Sequence, residues 1–173
     1  VLYPRHGDVG FRRLHGIRIR RTELLGACAG EHRGAECVLV GRLRAEQARL
    51  MAHGASDVAY DVACSTVHAG KMSGGIALNI VPDVATVAFE IRHLAAEPIN
   101  SILDRIRSAA ADVVAANGHP AAAIEIVETN LYPGLDTPVD ADVVGAVSRL
   151  AGGTKTTKVA YGTEAGYFAS IGI

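Results

Sequence analysis

The strongest constraint on this chain is a change of hydrophobic period around residues 92–99. Residues 84–94 alternate, with Val87, Phe89 and Ile91 on one face and Thr86, Ala88, Glu90 and Arg92 on the other. After Glu97-Pro98 the period becomes helical: Ile99, Ile102, Leu103, Ile106, Ala110, Val113 and Val114 recur at three and four residues. Pro98 suits a first helical turn, and Asn117-Gly118 followed by Pro120 closes the helix. A strand with one apolar face runs straight into a helix with one apolar face. Such faces are buried by laying helix on sheet.

The flanking segments repeat these two types. Residues 35–53 read as an amphipathic helix with Val38, Leu39, Leu43, Leu50 and Met51 as its apolar stripe and Gly54 as its terminator. Residues 16–25 alternate Ile17 and Ile19 with Arg18 and Arg20, and residues 65–72 and 122–129 read as further strands. His68, within one of them, reads as a structural histidine beside the sheet. A glycine turn follows Ser73, and Pro82, which has no amide to donate, marks the entrance to the next strand.

Beyond the turn-rich residues 131–136, Thr137 with Pro138 and Asp140 reads as the cap of a helix. Val143, Val144, Val147 and Leu150 would form its apolar face and Gly152-Gly153 its end. Residues 156–161 read as a short strand. Gly162-Thr163 then turns into a last helix, with Thr163 as cap and Glu164 in the first turn. Such a strand–glycine–helix junction binds ligands in many α/β folds, although capping alone also explains it.

Charge and cysteine content narrow the function classes. A net charge of −1 gives no overall attraction to nucleic acid or membrane, although residues 1–50 hold ten arginines against five acids. Only eight aromatics are present, none patterned with the Arg12, Arg13, Arg18, Arg20, Arg21 cluster as an RNA-binding sheet requires. A solvated basic strand face is the better reading, so neither nucleic acid nor membrane is expected as a partner. No apolar run is long enough for a membrane span and no signal peptide opens the sequence. Cys28, Cys37 and Cys64 lack CxxC spacing and read as free thiols, which fits a cytoplasmic location.

Asn79, among apolar neighbours, and Arg92, thirteen residues on, form a candidate pair for gripping an anionic oxygen from rigid strands. The alternative is a turn asparagine and an exposed strand arginine.

The run Gly74-Gly75-Ile76-Ala77-Leu78-Asn79-Ile80-Val81-Pro82-Asp83, continued by Phe89-Glu90-Ile91-Arg92, resembles the lid-domain motif of the co-catalytic zinc deacylases. These are the acetylornithine deacetylases, succinyl-diaminopimelate desuccinylases, aminoacylases and carboxypeptidase G-type enzymes, with the acetylornithine deacetylase branch nearest. Lys158-Val159-Ala160-Tyr161-Gly162-Thr163-Glu164-Ala165-Gly166-Tyr167-Phe168 is similar to that branch's downstream loop. The likeness runs from about Arg44 to Ile173.

The resemblance implies an α+β protein. Residues 1–15 are a poorly matched N-terminal segment. Residues 16–131 form a ferredoxin-like lid, an antiparallel four-stranded sheet with two helices on one face, which also mediates homodimerisation. Residues 132–173 form an incomplete return segment of a catalytic α/β domain.

By the same resemblance, Asn79 and Arg92 hold the substrate carboxylate or the developing oxyanion. Gly162, Thr163 and Glu164 line the pocket for an N-acyl amino acid, in the context of arginine biosynthesis. His32 would stand for a histidine that crosses to the partner's site, although the serine pair that follows it in the family is absent.

The family hydrolyses its amide with zinc or cobalt held by His, Asp and Glu, and with a glutamate as proton shuttle. No cluster with that spacing is found here. His6-Gly7-Asp8-Val9 only superficially resembles the metal motif and reads as a frayed terminus. The expected contribution of this chain is therefore substrate binding, with no catalytic or metal-binding residue of its own. A non-catalytic dimerisation or small-molecule-binding module is the alternative.

Overall fold

The computed structural model describes residues 13–20, 35–80, 82, 84–118, 120–131, 133–135, 137–153 and 156–172. The elements run β1 (Arg13–Arg20), α1 (Ala35–His53), β2 (Thr66–Gly74), β3 (Val84–Arg92), α2 (Ile99–Asn117), β4 (Ala123–Leu131), α3 (Asp142–Leu150) and α4 (Ala165–Ser170). The strands form one sheet in the order β2-β3-β1-β4, and every neighbouring pair is antiparallel. The result is a mixed α and β protein built on a small antiparallel sheet.

The core lies where the two periodicities meet. Val87, Phe89 and Ile91 are each at most 1% exposed, and Leu39, Leu43 and Leu50 of α1 pack with them. Ile102, Leu103, Ile106 and Ala110 of α2 join the same cluster, which places both helices on one face of the sheet. Burying a side chain of this size contributes about 1.5–3 kcal/mol, so this face dominates the packing energy.

The predicted stripe of α1 holds except at Met51, which is 69% exposed. Met51 follows Leu50 by one position, and a 100° step carries it past the sheet-facing arc. α2 ends as its sequence requires: Gly118 adopts φ +72°, a left-handed conformation that costs glycine little. Gln47 of α1 accepts the Val67 N–H at 2.6 Å, covering part of the outer edge of β2. His68 on β2 is exposed, opposite Glu90, and takes no part in the core.

Two local expectations fail beyond β4. Thr137, Pro138 and Asp140 do not cap α3. Its N-cap is Ala141, with no side-chain cap, and the Ala141 N–H bonds the Pro138 carbonyl at 3.0 Å in a turn that delays the helix. Asp142 stands in the first turn, where its charge suits the helix dipole. Residues 156–161 form no strand. Among the described residues no neighbouring strand offers them a ladder, and the Ala160 carbonyl instead receives a side-chain hydrogen bond from Arg92. α4 follows at Ala165, and its Gly166 is buried so closely against the Pro133 carbonyl that a Cβ would collide with it.

Candidate functional site

A convergence of polar groups lies where β3 ends. Arg92 is its last residue, and the strand's alternation turns it to the face opposite Phe89 and Ile91. Glu90, two residues back on that face, accepts the Arg92 Nε N–H at 2.9 Å, and the same Oε1 stands 2.8 Å from Nη2 in an ion pair. Arg92 Nη1 donates to the Ala160 carbonyl at 3.2 Å, across 68 residues of sequence. Tyr60, Cys64, Thr66, Arg92, Leu94 and Ala160 bound a cavity of about 120 Å³ at this point.

The wall of the cavity is held by buried polar contacts. The Ser65 hydroxyl accepts the Leu94 N–H at 3.0 Å. His93 is buried with Nδ1 at 3.0 Å from the Leu94 carbonyl and 2.9 Å from the Glu97 carbonyl. A carbonyl can only accept, so Nδ1 carries the proton. Cys64 is a half-buried free thiol and Cys37 an exposed one.

A second set of contacts fastens residues 156–161 to the loop after α1. Lys158 donates to Asp57 Oδ2 at 2.8 Å and lies 5.3 Å from the centre of the Tyr60 ring. Tyr60 and Leu94 form a small apolar cluster with Ala55 and Ala160. The Lys158 hydrogen bond, followed by the Ala59 N–H, holds the Asp57 carboxyl below its usual 3.8. A depressed carboxylate pKa stabilises the folded state above the unfolded value, and that contribution is lost as pH falls through the folded one. In Lys158→Ala the Asp57 titration is expected to move back up towards 3.8. A carboxyl NMR titration checks this, and an unmoved midpoint would remove the Lys158 contact from solution.

The other predicted residues are dispersed. Gly162 and Thr163 are half-buried and follow Ala160 after Tyr161. Thr163 does not take the cap position expected of it: the N-cap of α4 is Glu164, with no side-chain cap, and Thr163 Oγ1 accepts the Ala165 N–H at 3.3 Å from one residue further back. Glu164 is exposed and opens α4. Asn79 corrects the expectation of a buried-edge amide on a strand. It lies exposed in the turn between β2 and β3, beside the exposed Ile76, Leu78 and Ile80.

The cause is local. Gly75 at φ +80° ends β2, and pairing resumes only at Val84. The hairpin therefore sets Asn79 beyond one end of β3 and Arg92 at the other, roughly 25 Å apart by strand rise. The two do not share a site within one subunit. His32 and His6-Gly7-Asp8-Val9 lie outside the described residues.

Sequence reasoning missed a charged network beside this site. Glu46 of α1 accepts Arg49 at 2.9 and 3.0 Å and Arg105 of α2 at 2.9 Å, although the residue is only 8% exposed. Glu97 accepts the Ala55 N–H at 2.8 Å and stands 3.4 Å from Arg49 and 3.5 Å from Arg105. Hydrogen bonding to Glu46 raises the Arg49 pKa above the ordinary guanidinium value. The Glu46/Arg49 spacing was the one signal in the sequence for this network.

Among the described residues, no group of three or more His, Cys, Asp and Glu side chains could hold a metal ion. They do not fit a dinuclear metal centre. No described helix is long and apolar enough to cross a membrane.

Residues 36–118, which contain β2, β3, α2 and nearly all of α1, match the family model of the M20 peptidase dimerisation domain. Over those residues the chain is thus similar to the M20 peptidase dimerisation domain. A protein of Arthroderma gypseum described as a probable carboxypeptidase is 36% identical over 112 residues, covering 58% of this chain and 22% of that protein.

Solved structures share the fold. Aminopeptidase PepT of Bacillus cereus superposes with a TM-score of 0.57 at 20% identity, over 97% of this chain and 44% of its own. YXEP of Bacillus subtilis, a dinuclear metal binding peptidase of the M20 family, gives 0.55 at 14% identity, over 95% and 38%. A hydantoinase/carbamoylase family amidase of Burkholderia multivorans gives 0.58 at 15%, over 95% and 39%. The chain therefore spans about a fifth of the carboxypeptidase it matches and under half of each of these structures.

Proposed function

We propose that this chain supplies the substrate-binding lid of a metal-dependent amidohydrolase that removes an N-acyl group from an amino acid. Residues 16–131 act as a ferredoxin-like lid and residues 132–173 as a return segment towards a catalytic domain. The observation that carries the reading is the Arg92–Ala160 hydrogen bond. It sets a strand-borne guanidinium beside the Gly162-Thr163-Glu164 loop, where a fork of N–H donors suits a substrate carboxylate. Arg92 orients the substrate and stabilises charge, and bond cleavage falls to a metal centre that the described residues do not form.

The finer reading follows the two motifs of the acetylornithine deacetylase branch, with a role in arginine biosynthesis in the cytoplasm. Zinc or cobalt would be the metal of a complete relative. Asn79 serves the same chemistry only in a site other than that of its own Arg92, and His32 is proposed for a contact across the dimer. The dimer itself is proposed to form through the lid.

The test uses the full reading frame around this sequence, loaded with zinc and assayed on N-acetylornithine and other N-acetyl amino acids. Arg92→Ala should lower kcat/KM about tenfold or more. An unchanged value sinks the role of Arg92. A stable metal-free dimer with no hydrolysis in any form would favour a non-catalytic dimerisation module instead.

A further inference from the structure

We propose that Glu90 is a positioning residue that fixes Arg92 for carboxylate binding. The inference rests on the reading of Arg92 just given. Glu90 Oε1 takes the Nε N–H at 2.9 Å and stands 2.8 Å from Nη2 as its ion-pair partner, which places the carboxylate on the side of the guanidinium nearest the stem. The Ala160 carbonyl takes one from Nη1 at 3.2 Å. The donor inventory of arginine leaves a further N–H on Nη1 and another on Nη2, a ready pair for the two oxygens of a carboxylate.

The supporting geometry is asymmetric in burial. The Glu90 side chain is 19% exposed and that of Arg92 33%. The acid is therefore the better anchored partner, held on an inner strand between β2 and β1. A free arginine side chain samples many rotamers, and a ligand must order it on binding. Glu90 and Ala160 hold Arg92 beside the cavity in advance. Because Ala160 belongs to the segment before Gly162, the same guanidinium also ties the sheet to the loop that follows.

The opposite role is physically possible: a carboxylate beside Arg92 could act as a competitor that the ligand must displace. The two differ in sign.

The test follows the arginine Nε–Hε NMR signals of the full 173-residue chain, titrated with sodium acetate against sodium chloride at matched ionic strength. Arg92→Lys assigns the Arg92 signal and should abolish the acetate response. In Glu90→Gln, which keeps the shape and removes the charge, the Arg92 signal should move towards those of unpaired arginines. Acetate binding should weaken about threefold to tenfold. The Arg105 signal, held by Glu46, should stay in place and report an intact fold. Equal or tighter acetate binding in Glu90→Gln overturns the positioning role. Should the acetate response survive Arg92→Lys, or be absent from the unmodified chain, the carboxylate reading of Arg92 fails and takes this proposal with it.

Discussion

Replacing Phe89 with alanine is expected to destabilise the protein by about 3–5 kcal/mol, the range for emptying a buried aromatic site. Phe89 is 1% exposed and sits midway along β3, an inner strand flanked by β2 and β1. Its cluster joins α1, through Leu39 and Leu43, to α2, through Ile102 and Ile106. The sheet and both helices would have to shift together to fill the void, so little of the loss can be recovered by relaxation. Phe89→Leu retains most of the volume and should cost under about 1.5 kcal/mol. Met51→Ala, at an exposed site on the same layer, should stay within about 0.5 kcal/mol. Guanidinium unfolding curves measure all three. A Phe89→Ala loss below that of Phe89→Leu would contradict the packing described.

The second large effect is expected at Glu46. Its carboxylate holds Arg49 within α1 and Arg105 across on α2 at 2.9–3.0 Å. Removing it leaves two guanidinium groups without their best-placed acceptor. Both arginine side chains are about a third exposed, so water recovers part of the loss. Glu46→Ala is therefore expected to cost about 2–3 kcal/mol, below the figure for a fully desolvated pair. Glu46→Gln, which can still accept hydrogen bonds, should cost roughly half as much. A double-mutant cycle with Arg105→Ala isolates the interhelical part, expected at about 1 kcal/mol. Coupling near zero would mean that Glu46 acts within α1 alone.

These two sites differ in how visible they were. Phe89 was marked by alternation: a β-strand repeats every two residues, and Val87, Phe89 and Ile91 keep step with it through the most regular part of the chain. The extents of α1 and α2 were legible for a related reason, since helical period, Pro98 and the glycines at 54 and 118 are local signals. Glu46 was not legible. A glutamate on a helix normally faces water, and only the approach of Arg105, 59 residues away, makes this one an internal anchor.

The candidate site divides in the same way. Arg92 could be singled out from its strand position and motif, and it stands at the edge of a cavity. Its grouping with Asn79 rested on closeness in sequence, whereas a hairpin separates the two ends of one strand by its full length. The reading of residues 156–161 as a strand failed because a β-pattern needs a neighbour to pair with, and the sequence does not state whether one is present.

What the sequence determined by itself is whatever depends on short-range periodicity and backbone chemistry. That covers the element types, most helix ends, the apolar faces that form the core, and the two motifs that resemble the lid and loop of the zinc deacylases. The tertiary structure decided which distant polar groups meet. It placed Arg92 against Glu90 and Ala160, Lys158 against Asp57 and Tyr60, and Arg105 against Glu46, while leaving Asn79 in an exposed turn. The physical reason is one of range. Hydrophobic period acts over a few residues and is written in the order of the chain, whereas a hydrogen bond between distant side chains exists only once the packed elements have fixed both ends.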